Sequence, residues 1–183
     1  MRIISGKYRA LTLSEFAGDD IRPTADRVKE SLFNIISPRI YGADVLDLFC
    51  GSGSLGIECI SRGAKFVAFN DFSASSIAVL KKNLAKLKDE RSYAVTKYDF
   101  QACLYAAKTP YDIIFVDPPY RFDYGKTALE IIAGRGLLKR GGVAIYEQDK
   151  SFQGVIDGLC AFDERKYGKT YLTFFANSSE DDT

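Results

Sequence analysis

The segment Asp117-Pro118-Pro119-Tyr120 combines residues that suit chemistry on an amine. Two consecutive prolines have no amide hydrogen and hold the backbone extended, so the carbonyl groups stay available as hydrogen-bond acceptors. Together with the carboxylate they would hold the N–H groups of a planar exocyclic amine, while the tyrosine ring stacks on its base. We interpret the segment as a site that aims the lone pair of an aryl amine at an electrophilic methyl group. Such a displacement depends on positioning and electrostatics.

A glycine turn behind the carboxylate Asp47 is the candidate site for the methyl donor. Gly51, Gly53 and Gly56 match the spacing G-x-G-x-x-G, in which glycines allow a tight turn and a close approach of the backbone to a ligand. Amides at such a turn suit anions, whereas a carboxylate beside them suits a ligand that also carries a cationic amine. S-adenosylmethionine has both groups on its methionyl tail. The glycine spacing by itself would also fit a turn that binds a nicotinamide cofactor, or an ordinary strand–turn–helix corner without a ligand.

Asp71 and Asp99 also stand at the ends of apolar runs. Ligands of open α/β sheets bind at the carboxyl ends of the strands, so we expect these acids to share one crevice with the two acids named above. Asp71 lies about twenty residues after Gly51, where an acid can bind both ribose hydroxyls, and Phe72 would lie on the adenine. Asp99, beside Phe100, would accept from the adenine amine. A helix N-cap is the alternative role for each acid.

The elements that must position these residues follow from the alternation of apolar runs and helical patterns after Asp44, which predicts right-handed βαβ units. A last pair of strands, joined by Gly168-Lys169, predicts an antiparallel hairpin. The predicted fold is α/β, with a mostly parallel seven-stranded sheet and helices on both faces. The predicted strands are Val45–Phe49, Lys65–Asn70, Tyr93–Tyr98, Tyr111–Val116, Val143–Glu147, Phe162–Tyr167 and Thr170–Ala176. The predicted helices are Ser54–Arg62, Ala74–Leu87 and Gly125–Ala133, and Leu137–Gly142 is predicted to be a turn.

The first forty residues predict a small extension ahead of this sheet. Met1–Leu13 alternates weakly and predicts a short β-hairpin, and Ser14–Ile21 predicts a mobile loop. A helix then begins around Pro23, with Thr24 as its N-cap and Lys29 outside its apolar stripe. We divide the chain into an N-terminal extension over residues 1–40, a catalytic domain over 41–177 and a disordered acidic tail over 178–183.

Composition limits the function classes. The net charge of the 183 residues is +1, so any basic surface for nucleic acid must be local. The chain has no histidine, the commonest general base, and its four cysteines lack metal-ligand spacing, so we predict no metal site. No run approaches the ~20 apolar residues of a membrane span, and the N-terminus lacks the apolar core of a signal peptide. We predict a cytoplasmic protein.

These motifs resemble those of a known family. Asp47–Gly56 resembles the first motif of Rossmann-like methyltransferases that use S-adenosylmethionine, and Asp117–Tyr120 resembles the (Asp/Asn)-Pro-Pro-(Tyr/Phe) motif of the amino-methylating ones. The block Arg22–Asn34 resembles, more narrowly, the bacterial small-subunit (16S) ribosomal RNA (guanine-N2) methyltransferases. The likeness covers nearly the whole chain.

The resemblance implies that a methyl group passes from S-adenosylmethionine to the exocyclic N2 amine of a specific guanine in 16S ribosomal RNA. Asp117, Pro118, Pro119 and Tyr120 would be catalytic. The residues expected to bind the cofactor are Asp47, Phe49, Gly51, Gly53, Gly56, Asp71, Phe72, Asp99 and Phe100. Those that the resemblance places against RNA are Arg22, Thr24 and Arg27. The distribution of charge adds the basic residues Arg2, Lys7 and Arg9 of the hairpin and Lys29 of the first helix. We expect a monomer that acts on ribosomal RNA, within a small-subunit assembly particle.

Two positions depart from the family's pattern. The family usually has Glu where this chain has Asp71, and often a second acid where it has Ser73. The shorter Asp71 would bind ribose with altered geometry, which affects the affinity for the cofactor rather than its identity.

Other functions stay open at this point. The acceptor cluster fits an adenine amine equally well, so an adenine-N6 methyltransferase acting on DNA or RNA is the main alternative, and guanine rests on the resemblance. A NAD-dependent oxidoreductase is a distant alternative, because the chain has no evident hydride-transfer acid or second nucleotide-binding half. A non-catalytic binding module would have no need of the acceptor cluster.

Overall fold

The computed structural model describes residues 1–15, 23–88, 92–119 and 123–178, with only the backbone of residues 23–26. Within these ranges the chain forms one seven-stranded sheet with helices on both faces. The strands are β1 (Asp44–Asp47), β2 (Phe66–Asn70), β3 (Tyr93–Thr96), β4 (Tyr111–Val116), β5 (Leu138–Gln148), β6 (Leu159–Tyr167) and β7 (Thr170–Asn177). The helices are α1 (Pro23–Ile36), α2 (Ser54–Ser61), α3 (Ala74–Leu84), α4 (Phe100–Ala106) and α5 (Tyr124–Gly134), and a 3₁₀ turn (Ser37–Arg39) follows α1.

The order of strands across the sheet is β3-β2-β1-β4-β5-β7-β6. β1 to β5 pair in parallel, and β7 pairs antiparallel with both β5 and β6. The mostly parallel sheet and the C-terminal antiparallel hairpin are thus confirmed. The sheet grows in one direction from β1 and in the other from β4, so the loops that follow these two strands diverge. This is where open α/β sheets leave a crevice for a ligand.

Both faces of the central strands are buried, which explains why these strands are largely apolar. Side chains alternate between the faces along a strand: Ile113 and Phe115 pack in the cluster that contains residues of α1, α2 and α3. Ile114 and Val116 pack in the cluster that contains residues of α4 and α5. The central strands are therefore held from two sides, and their carboxyl ends are fixed relative to each other.

The N-terminal segment packs against the first of these clusters, through Ile3 and Leu13. The predicted hairpin forms as a short antiparallel pairing, with a bridge between Arg2 and Thr12 and backbone hydrogen bonds from the N–H of Ile3 to Leu11 and from the N–H of Leu13 to Met1. Glu58 on α2 anchors the segment, because its fully buried carboxylate accepts the backbone N–H groups of Ile4 at 2.8 Å and of Ser5 at 3.0 Å.

The Glu58 carboxylate also binds Lys29 of α1, which we predicted to face RNA. Lys29 is only 3% exposed, and its Nζ lies 3.1 Å from Glu58 and 3.3 Å from the carbonyl of Arg2. The prediction that Lys29 faces RNA is therefore wrong. A buried cation is stable here because Glu58, which also pairs with Arg62 at 2.7 Å, neutralises it.

Two local predictions also fail. β5 begins at Leu138, so the turn predicted over 137–142 is wrong. The pairing of β5 with β4 changes register after Tyr111. Gly141, with a φ of 76°, allows the backbone to make this irregularity. Thr24 lies inside α1 rather than before it, since the helix begins at Pro23, and proline is favoured at the first helical position. The core and the sheet are unaffected.

Candidate active site

The glycine turn between β1 and α2 leaves one backbone position open to a ligand. Gly51 has a φ of 52°, and a Cβ placed on it would meet nothing within 4 Å. Gly53 has a φ of 80°, and a Cβ there would lie 2.3 Å from Leu80 Cδ1. Gly56 lies close to Phe69, whose Cε1 would be 2.2 Å from an added Cβ. Two of the glycines therefore serve packing, and Gly51 is the one that a ligand can approach closely.

Asp47 is the charged centre of this turn. Its side chain is 2% exposed, and its Oδ2 accepts the N–H of Gly56 at 2.9 Å. Burial raises the pKa of the carboxyl to about 7; the hydrogen bond from Gly56 opposes the shift, Asp71 adds to it, and Lys29 opposes it. A cation brought against Asp47 would favour the ionised form, so the site suits the ammonium group predicted from the sequence.

Asp71 turns its carboxylate towards the glycine turn. Oδ2 accepts the N–H of Gly51 at 3.0 Å, and Oδ1 accepts the N–H of Ser73 at 2.8 Å. A carboxylate has about four acceptor positions, so each oxygen keeps capacity for a further hydroxyl donor. Ser73, at the position where the family often has a second acid, caps α3 by accepting from the N–H of Ser76.

Aromatic rings and polar groups surround a cavity of about 880 Å³ beyond Asp71. The rings of Phe49 and Phe100 lie 5.5 Å apart, and Phe100 lies 5.1 Å from Tyr124. Phe72 also lines the cavity and is 74% exposed. Asp99 lines it too, while its Oδ1 caps α4 by accepting the N–H of Ala102 at 3.0 Å. The two roles weighed for Asp99 are compatible, because a capping carboxylate keeps a second oxygen.

A second cavity, of about 600 Å³, adjoins the first. Asp117 and Glu147 line both cavities, and Pro118 and Pro119 line the larger one. Burial, and then the negative charges of Glu147 and Asp47, raise the pKa of the Asp117 carboxyl well above its usual range. Asp47, Asp117 and Glu147 thus lie close enough for their charges to interact, and a cationic ligand beside them would favour their ionised forms.

Of the predicted RNA-facing residues whose side chains the structure describes, Arg2, Lys7, Arg9 and Arg27 line neither cavity. Lys7 and Arg9 are exposed, but Lys7 donates its backbone N–H to Ser61 at the far end of α2, about 10 Å along the helix from Ser54. Arg27 is exposed on the first half of α1. Tyr120, Arg22, most of the predicted mobile loop and nearly all of the acidic tail lie outside the described residues, as does the side chain of Thr24.

Sequence reasoning missed two residues that shape the site. Asn70 joins three strand ends, since its Nδ2 donates to the carbonyls of Leu48 and Tyr98 and its Oδ1 accepts from Tyr98 N–H at 3.1 Å. The signal was a polar residue at the end of an apolar strand. Glu147 ends the strand predicted over Val143–Glu147 in the same way, as Asp47 ends its own strand.

Neither a metal centre nor a membrane-spanning helix is found in the described ranges. No group of three or more His, Cys, Asp or Glu side chains there is arranged to hold a metal ion. Among the described helices, none has the length and apolar character that crossing a lipid bilayer requires.

Comparison with known proteins gives consistent matches over nearly the whole chain. The family described as conserved hypothetical protein 95 matches residues 1–176. YlbH from Bacillus subtilis is 36% identical over 180 residues, which span 96% of this chain and 98% of the relative. The Haemophilus influenzae protein named Ribosomal RNA small subunit methyltransferase D is 36% identical over 153 residues, 82% of this chain and 79% of the relative. The solved structure of yhhF from Escherichia coli matches with a TM-score of 0.87 at 31% identity, covering 98% of this chain and 99% of the other.

Proposed function

Since the chain belongs to the conserved hypothetical protein 95 family, and relatives at 36–37% identity are named Ribosomal RNA small subunit methyltransferase D, we propose that it transfers a methyl group from S-adenosylmethionine to small-subunit ribosomal RNA. The accepting atom is the exocyclic N2 of a guanine. The observation that carries this proposal is the position of Asp117-Pro118-Pro119, which directly follows β4 where the two cavities meet.

The residues present fit the methyl donor. The larger cavity would hold its adenosine half, with Asp71 on the ribose hydroxyls, Phe49, Phe72 and Phe100 against the adenine, and Asp99 on the adenine amine. The open Cα of Gly51 allows the backbone to approach the methionyl carboxylate, and Asp47 binds the ammonium. When bound, S-adenosylmethionine supplies a methyl group on a sulfonium sulfur, which leaves as a neutral thioether.

Asp117 and the proline carbonyls act on the accepting base. As acceptors they hold the two N–H groups of the amine, which turns its lone pair away from the aromatic ring and towards the methyl group. After transfer the amine nitrogen carries an extra proton, and the Asp117 carboxylate accepts it. The raised pKa of Asp117 makes its ionised form a stronger base than the carboxylate of an ordinary aspartate. Tyr120 stacks on the base.

The first forty residues carry basic side chains that can contact RNA. We assign residues 1–40 as the RNA-facing extension, with Arg22, Thr24, Arg27, Lys7 and Arg9 among its contacts, residues 41–177 as the catalytic domain and 178–183 as an acidic tail outside it. The exposed positions of Arg27, Lys7 and Arg9 support this assignment. The protein acts as a cytoplasmic monomer on a small-subunit assembly particle.

The test is methylation of small-subunit particles from a strain that lacks the gene. Purified protein and isotopically labelled S-adenosylmethionine are added, and the nucleosides are separated by mass spectrometry. We expect the label in N2-methylguanosine at one mapped position. Label in N6-methyladenosine would contradict the assignment of guanine, and no label in any nucleoside would contradict the proposed function.

Asp117→Ala is the matched variant for this assay. We expect the rate of methyl transfer to fall roughly 100-fold or more, because positioned acceptors and proton acceptors contribute on that order. The affinity for S-adenosylhomocysteine, measured by calorimetry, should change little. A near-normal rate would mean that the Asp117 side chain has only a structural role.

A further inference from the structure

Glu147, near the end of β5, lies beside Asp117, which directly follows β4. The two strands are parallel neighbours in which Val116 pairs with Tyr146, so the next residues, Asp117 and Glu147, follow side by side at the carboxyl ends. Both line the larger and the smaller cavity. The structure therefore presents two carboxylates, rather than one, at the point where the accepting base must lie.

When both are ionised, as they must be to accept from the base, two adjacent carboxylates match only one of the two candidate bases. An ionised carboxylate is an acceptor with no donor. Guanine presents adjacent donors on this edge, the N1–H and the N2 amine, whereas adenine presents its N6 amine beside an N1 lone pair. A carboxylate facing that lone pair would leave two acceptors opposed, and a site with buried polar groups strongly rejects a ligand that leaves them unpaired.

We infer that Glu147 selects guanine by accepting its N1–H while Asp117 accepts from its N2 amine. This rests on the proposed function, since it concerns the same base in the same site. The segment Asp117–Tyr120 fits the amine of either base and cannot distinguish guanine from adenine. Recognition of the N1–H by Glu147 would make that distinction. Glu147 is thereby a specificity-determining residue rather than a second proton acceptor.

The experiment combines a variant with a changed base. Glu147→Gln replaces a pure acceptor with an amide that can also donate. 2-Aminopurine keeps the 2-amine but has a lone pair in place of the N1–H and a hydrogen in place of O6, so the change in preference between wild type and variant is what reports on Glu147. Small-subunit particles are reconstituted on ligated RNA that carries guanine or 2-aminopurine at the mapped position, and kcat/KM for methyl transfer is measured for each protein on each RNA.

Wild-type protein should prefer guanine by roughly 30-fold or more, the size expected when a hydrogen bond to a charged group is lost. In Glu147→Gln the preference should collapse to within about threefold, because the amide serves either base. Glu130→Gln, on the exposed face of α5, should keep the wild-type preference. Calorimetry with S-adenosylhomocysteine checks that both variants are folded and bind the cofactor product.

Two outcomes would overturn the inference. Equal loss of activity on both RNAs in Glu147→Gln would show that Glu147 acts by positioning another part of the site. Equal rates of wild-type protein on guanine and 2-aminopurine would exclude recognition of the N1–H, even if the variant does not fold. Failure of wild-type protein on guanine itself would instead contradict the proposed function.

Discussion

The buried carboxylate Asp47 makes the affinity for the methyl donor and its product dependent on pH. Its side chain is 2% exposed and its pKa is raised to about 7. The groups that act on it are the Gly56 amide, the Asp71 carboxylate and the Lys29 cation. If the ionised form is the one that binds the ligand ammonium, binding must remove the proton that Asp47 holds at lower pH.

The magnitude follows from the titration of one group. With a pKa of about 7, Asp47 is mostly ionised at about pH 7.5 and only a few per cent ionised at about pH 5.5, so the affinity for S-adenosylhomocysteine should fall about 25-fold between them. Calorimetry measures the affinity directly. Repeating it near pH 6 in two buffers of different ionisation enthalpy should show the release of close to one proton per ligand bound.

Stability of the ligand-free protein should move in the opposite direction. A carboxyl whose pKa is 3.8 in the unfolded chain and about 7 in the folded one keeps its proton longer when folded. Its contribution is therefore most favourable below about pH 4 and is lost as the pH rises to about 7, by about 4 kcal/mol in total. Asp47→Asn should remove this slope and the pH dependence of binding together.

Asp117→Asn is the control, since it changes a neighbouring acid and should leave the pH dependence of binding in place. An affinity that does not change with pH in the wild-type protein would refute the reasoning about Asp47. So would an unchanged pH dependence in Asp47→Asn.

Three further predictions concern other parts of the chain. Glu58→Ala should lower the free energy of unfolding by about 3–5 kcal/mol in urea titrations, because it leaves Lys29 buried without that partner. Gly56→Ala should lower it by about 1–3 kcal/mol, because the new Cβ would lie 2.2 Å from Phe69. Arg27→Ala should weaken RNA binding and reduce the slope of log affinity against log salt by about one, measured by filter binding across a salt series, if Arg27 contacts a phosphate.

Each of the three has a matched control. Glu130→Ala removes an exposed pair with Lys126 and should cost less than about 1 kcal/mol. Gly134→Ala adds a Cβ that meets nothing within 4 Å, so it should not destabilise α5. Arg39→Ala removes an exposed cation beyond the other end of α1 and should leave the salt slope unchanged. Equal effects of variant and control would contradict the respective argument.

Local patterns in the sequence were enough to predict the sheet and much of the crevice. Apolar runs that end in Asp47, Asp71 and Asp117 specify buried strands with acids at their carboxyl ends, because parallel strands buried on both faces must be apolar. The glycine spacing identified the turn that carries Gly51. These signals extend over a few residues each, which is why they can be read without knowing what packs against them.

The tertiary structure decided what depends on residues distant in sequence. Lys29 lies off the apolar stripe of its own helix, yet it is buried, because Glu58 lies opposite it. The pKa of Asp47 depends on how much protein covers it. Glu147 becomes the neighbour of Asp117 only through the register of β4 on β5. The sequence determines which residues end the strands, but strand order and register determine which of those ends meet.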